Sequence, residues 1–180
     1  MKNRIKTRRL FFALWPSEQV RQSILEKYSQ LPMQKGRAMR THNLHVTLHF
    51  PGQVTEEVQH CMHHAAQSIK AETFRLVLDH FGYFSRAKIF WMGAQNIPAE
   101  LTQLHLKLGA AIEKCGFKSE SRVYTPHVTL LRKCNKPGPA STFDQADFSI
   151  PWQVEDFVLV ESVPDERGVN YQVIENYPLS

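Results

Sequence analysis

Only three cysteines, Cys61, Cys115 and Cys134, occur in 180 residues, and none forms a CxxC pair. This excludes both the disulfide framework of a small secreted domain and a zinc knuckle. The expectation is three reduced thiols in a cytoplasmic protein. No stretch approaches the ~18 apolar residues of a membrane-spanning helix. Basic residues do precede an apolar run near the start, but that run, Leu10 to Trp15, stops at Pro16 and is too short for the core of a signal peptide. The segments "GRAMR" and "GPAST" lack the Lys-Ser/Thr that completes a phosphate-binding loop, and Ser and Cys nucleophile signatures are missing. There is no low-complexity segment.

The hydrophobic share is 42% and the charged share 22%, as in an ordinary globular protein, and the length suits one domain. Formal net charge is +5, and Lys2, Arg4, Lys6, Arg8 and Arg9 crowd the first nine residues. A basic balance favours polyanionic partners such as nucleic acid. Residues 1–7 read as a flexible basic leader and 8–180 as one domain. Strands are expected over 8–16, 43–50 (closed by Pro51-Gly52), 73–84, 89–94 and 125–132. The tail reads as two strands around a turn at Asp165 to Gly168. Helices are expected over 17–31 with Ser17 as N-cap, from Thr55 to Lys70, and over 98–115, with a loop over 133–142. In the second helix Val58, Cys61, Met62, Ala65, Ala66 and Ile69 form the apolar stripe. Interleaved strands and helices with an all-strand tail predict an α+β architecture.

Alternation makes "NLHVTLHF" (43–50) a half-buried strand, yet its polar face carries His45, Thr47 and His49. The tetrapeptide "HVTL" recurs at 127–130, which suggests a pseudo-symmetric, two-lobed fold with equivalent strands facing one another. Residues i and i+2 of a strand lie about 6.6 Å apart on one face, so His45 pairs with Thr47 and His127 with Thr129. If both strands line one cleft, two imidazoles and two hydroxyls converge. One imidazole can take a proton from an attacking water while the other gives one to a leaving oxygen, and the hydroxyls can bind non-bridging phosphate oxygens. An unperturbed pKa near 6.5 suits histidine to both roles. The scheme needs no metal or other cofactor, and a 2′,3′-cyclic phosphate fits it. His49 has no counterpart in the second copy, where Leu131 stands, and is placed at the cleft's periphery. His60, His63 and His64 sit at i, i+3 and i+4 of the second helix, on the face expected to meet solvent. The three tryptophans are expected in the core, with one or two aromatic rings left to stack on a base.

Paired HxT-plus-aliphatic motifs resemble the two-histidine phosphoesterase superfamily, and within it the LigT-like RNA 2′,3′-cyclic phosphodiesterases, also called 2′-5′ RNA ligases. "RRLFFAL" resembles that family's first strand, "NLHVTLHFPG" and "TPHVTLLR" its two motifs, and "LVESVPDERGVNYQVIENYPL" its closing hairpin. The resemblance implies two pseudo-symmetric α/β lobes with antiparallel sheets facing a central cleft. It implies His45 as general acid at the departing 3′ oxygen, His127 as general base for water, and a 2′-phosphate product. Thr47 and Thr129 would hold the phosphate, joined by Arg132, although simple alternation puts Arg132 on the face opposite His127. Pro51 and His49 depart from the family's pattern. The implied partner is RNA with a cyclic-phosphate end, met by a monomer without a membrane. A ligase running the same chemistry backwards, a non-catalytic RNA-end-binding protein, and a histidine-triad hydrolase are the alternatives. The last needs His-x-His-x-His, and Thr47 breaks it.

Overall fold

A computed structural model describes residues 6–32, 35–118, 122–135, 147–166 and 168–180. Met1 to Ile5 of the expected leader, and 136–142 of the expected loop, lie outside the described residues. Lys6 is exposed, and Thr7 is already paired with Thr55.

The elements run β1 (Thr7–Leu14), α1 (Glu18–Ser29), β2 (Arg37–Ala38), a 3-10 turn (Thr41–Asn43), β3 (Val46–Thr55), α2 (Glu56–Gln67), β4 (Phe74–Leu78), β5 (His80–Phe84), β6 (Ile89–Gly93), α3 (Ala99–Glu113), β7 (His127–Arg132), β8 (Ile150–Val154), β9 (Asp156–Asp165) and β10 (Gly168–Pro178). Local chemistry sets several boundaries. The Ser17 hydroxyl accepts from Val20 N to cap α1, and Thr55 does the same for Val58 N at α2. Gly116, at φ +86°, turns the chain out of α3.

Three expectations change. β3 does not stop at Pro51-Gly52 but runs through them to Thr55, with Gly52 at φ +78°. The stretch 73–84 breaks at Asp79, because β4 pairs with β8 and β5 pairs with β6 in a different sheet. The tail holds three strands, since Glu155 separates β8 from β9.

The main sheet is antiparallel in every pairing and has the order β10-β9-β1-β3-β7-β6-β5, with β2 on β7. Its two halves are built alike. The unit β1-α1-β3 on one side matches β6-α3-β7 on the other, and in each HVTL opens the last strand, His45 standing just before β3 and His127 first in β7. The halves join through β3 and β7 at a single register pair, Val46 with Val128, and through β2, whose Arg37 and Ala38 pair with Arg132 and Leu131 of β7. One face of the sheet carries the main core, including Leu10, Phe12, Leu14, Leu48, Phe90, Leu130 and Leu159, together with the apolar faces of the helices. Phe11, Ala13, Val158 and Val160 form a smaller cluster, joined by Trp15 and Tyr171.

The expectation of three reduced thiols is corrected. Cys61 and Cys115 are joined by a disulfide with Cα atoms 5.7 Å apart, and Cys134 is free and buried. The two partners lie 54 residues apart, and the packing of α2 beside α3 brings them together. Cys61 is accordingly exposed rather than part of the buried stripe, which Met62 and Ala66 supply. Among the described residues no helix is long and apolar enough to cross a membrane.

Candidate active site

His45 precedes β3, and its Nδ1 lies 2.7 Å from the carbonyl of Asn43. A carbonyl only accepts, so Nδ1 carries the proton and Nε2 of the neutral ring holds a lone pair. Nε2 lies 3.1 Å from the Thr47 hydroxyl, which donates to it. Asn43, which sequence reasoning passed over, is itself pinned to β10: its Nδ2 donates to the Val169 carbonyl at 2.8 Å, and its Oδ1 accepts from Tyr171 N at 3.1 Å. The ring is 9% exposed, enclosed by Phe11, Trp15 and Tyr171 at centroid distances of 4.8, 5.8 and 5.2 Å. Burial lowers its pKa to about 4 against the opposing pull of the Asn43 bond. The charges of Arg132, His127 and Arg21 push it the same way as burial.

His127 repeats the arrangement. Its Nδ1 donates to the carbonyl of Thr125, again two residues upstream and again at 2.7 Å, which leaves the same Nε2 free to act. The ring is more open and rests against Phe84 and Trp91, at 4.9 and 5.8 Å. A Cβ on Gly82 or Gly93 would come within 2.1 or 2.7 Å of the Trp91 indole, so both positions must be glycine for the indole to lie against the sheet there. Burial lowers the His127 pKa as well, and the charge of Arg132 adds to that.

How Arg132 reaches both rings is answered by the register. Thr129 is opposite Trp91, but Leu131 is opposite Phe90, so Leu130 is an extra residue in β7. Such a bulge inverts the alternation beyond it, and Arg132 returns to the face of His127 and Thr129. The first copy has the same device. Thr47 is opposite Ala13 and His49 opposite Phe12, which makes Leu48 the extra residue. The last residue of each HVTL is therefore a bulge, and each leucine is buried.

The bulge also corrects the place given to His49. It does not extend the face of His45 and Thr47 but is buried on the core side, as its counterpart Leu131 is. The position equivalent to Arg132 is Phe50, which stands on the site face. It is 44% exposed, stacked on Phe11 with centroids 6.1 Å apart, and covered by Arg9 at 5.0 Å. Sequence reasoning left Phe50 as a routine apolar strand residue. Its signal was the HxTxx spacing shared with Arg132.

The remaining candidates fall elsewhere. His60 and His64 are exposed, but His63 is half-buried and its Nδ1 lies 3.0 Å from the Tyr177 hydroxyl. Trp91 and Trp152 are buried, as expected, while Trp15 covers His45. Among the described residues no three His, Cys, Asp or Glu side chains are grouped to hold a metal ion.

Two imidazoles share a tautomer, each stands two residues before a threonine, and the charge of Arg132 acts on both. The class is that of the two-histidine phosphoesterases. The profile of the 2′-5′ RNA ligase superfamily matches residues 16–166, and the chain belongs to that family. It is 30% identical over 173 residues to the RNA 2′,3′-cyclic phosphodiesterase of Escherichia coli (strain K12), covering 96% of this chain and 97% of that protein. It is 29% identical to the protein of the same name from Thermus thermophilus, with 95% and 90% covered. The crystal structure of E. coli LigT complexed with 3′-AMP superimposes with a TM-score of 0.85 at 28% identity, over 97% of this chain and 99% of that one.

Proposed function

We propose that this chain is an RNA 2′,3′-cyclic phosphodiesterase that opens the cyclic ester to a 2′-phosphate end by two-histidine acid–base catalysis. One observation carries the reading: both rings spend Nδ1–H on a backbone carbonyl, and so turn Nε2 to the work, on the face that Arg132 shares. His127 Nε2 removes a proton from the attacking water, and His45 Nε2 delivers one to the departing 3′ oxygen. Thr47 and Thr129 donate to the non-bridging oxygens, and Arg132 balances their charge. Family resemblance supports this assignment of acid and base.

Unliganded, a depressed pKa leaves His45 neutral near pH 7. The anionic phosphate supplies the field that draws a proton onto it. Phe50 offers an exposed face to the terminal base. Net charge of +5 suits an RNA partner. A monomer in the cytoplasm is the form proposed. The same groups run backwards form a 2′-5′ linkage, but water at high concentration favours hydrolysis. A purely RNA-end-binding role is disfavoured, because both histidines and both threonines are kept.

The test is an oligonucleotide ending in a 2′,3′-cyclic phosphate, incubated with and without EDTA, with the product analysed by ³¹P NMR. Hydrolysis to the 2′-phosphate at an unchanged rate in EDTA is expected. A 3′-phosphate product would overturn the bond assignment, and loss of turnover in EDTA would overturn the metal-free scheme.

A further inference from the structure

His49, turned inward by the bulge, does not simply fill the core. Its ring stacks on His105 of α3 with centroids 4.2 Å apart and planes 7° from parallel. His105 in turn stacks on Tyr124 at 3.8 Å and 5°. His49 Nε2 donates to the His105 carbonyl at 2.8 Å. The Tyr124 hydroxyl donates to the carbonyl of Thr47 at 3.1 Å. His105 bonds the backbone of Leu48. Because its Nδ1 is buried without a hydrogen-bond partner among the described residues, that bond runs through Nε2–H.

These contacts lie where the two halves of the sheet part. After Val46 with Val128, continued antiparallel pairing would set Leu48 opposite Pro126, which has no N–H to give. The ladder stops there. In its place the carbonyl of Thr47 and the backbone of Leu48, the start and the centre of the first motif's bulge, are bonded by side chains of the other half. Tyr124 also adjoins Thr125, whose carbonyl orients His127. Thus the stack touches the backbone of the first motif at one end and the lead-in of the second at the other. His105 must be neutral for it to form: a proton on its Nδ1 would be a buried, unpaired donor beside a second imidazole.

We infer that His49, His105 and Tyr124 are a positioning unit for the two-histidine chemistry, carrying the β3–β7 seam beyond its one ladder pair on the side that β2 does not reach, and so holding His45 and His127 at their working separation. The inference rests on the phosphodiesterase reading for its kinetic arm only.

Tyr124→Phe removes one oxygen and keeps the stack. On a cyclic-phosphate oligonucleotide it should lower kcat about 5- to 10-fold, with KM within about twofold and a melting temperature within a few degrees of the parent, since only one hydrogen bond is lost. His105→Ala should lower kcat further, and His105→Gln, which keeps a donor for the Leu48 backbone, should recover part of the loss. In both Tyr124→Phe and His105→Ala the ¹⁵N imidazole resonances of His45 and His127 should move. An unchanged kcat in Tyr124→Phe, whatever its melting temperature, overturns the proposal, as do unmoved imidazole resonances. Should the parent protein fail to turn over the substrate, the phosphodiesterase reading falls, and the resonances still decide the positioning role.

Discussion

The two copies of HVTL share sequence, tautomer and bulge, yet they sit in different surroundings. His45 lies beneath three aromatic rings and is bonded to Thr47, whereas His127 is more open, against Phe84 and Trp91. The positions that follow differ too, Phe50 in one copy and Arg132 in the other. A symmetric cleft could not tell the 2′ oxygen of a cyclic phosphate from the 3′ oxygen. The asymmetry lies in an enclosed ring beside an aromatic face on one side, and an open ring beside a cation on the other. In the proposed mechanism it lets the same tetrapeptide take a proton on one side and give one on the other.

The sharpest way to break this comparison is to remove either ring. His45→Ala and His127→Ala should each lower kcat by about 10²- to 10⁴-fold, and the double variant should be little slower than the worse single one, because neither half acts without the other. Next in size, Arg132→Gln should lower kcat/KM about 10- to 100-fold, the worth of a charged hydrogen bond of ~1.5–3 kcal/mol. Phe50→Ala should raise KM for an oligonucleotide about fivefold, or ~1 kcal/mol of lost stacking.

Both histidines titrate below their ordinary value, burial being the main cause and Arg132 contributing. The one-proton form of the free pair therefore grows as pH falls below 6.5. The alkaline limb of kcat/KM should lie under 6.5, and it should move upward in Arg132→Gln, which relieves the repulsion. A profile flat to pH 8 would contradict this. Stability follows the same sign. His45 and His105, both lowered to about 4 by burial, bind protons in the unfolded chain before they do in the folded one, so the melting temperature should fall as pH drops from about 6.5 to 4. The smallest effect on turnover is expected from reducing Cys61–Cys115. Closing a loop of 54 residues is worth about 2–4 kcal/mol of stability, and kcat should stay within about twofold.

Much of the site could be read before any coordinates. The repeated HxT, the Ser17 cap and the α+β class all follow from spacing and residue type. What could not be read depends on partners distant in sequence. The extra residue at Leu48 or Leu130 exists only relative to β1 or β6, so alternation misplaced His49 and Arg132 by one face each. Cys61 and Cys115 pair because α2 lies beside α3, a contact no cysteine spacing encodes. The break at Asp79 comes from two strands joining different sheets, although the residues on either side are equally strand-like.

Chemical rescue tests most directly whether the two copies divide the proton transfer. A cyclic substrate with sulfur in place of the 3′ oxygen needs little protonation of its leaving group. The account predicts that it restores most of the rate to His45→Ala and none to His127→Ala. Rescue of His127→Ala instead, or equal rescue of both, would contradict it.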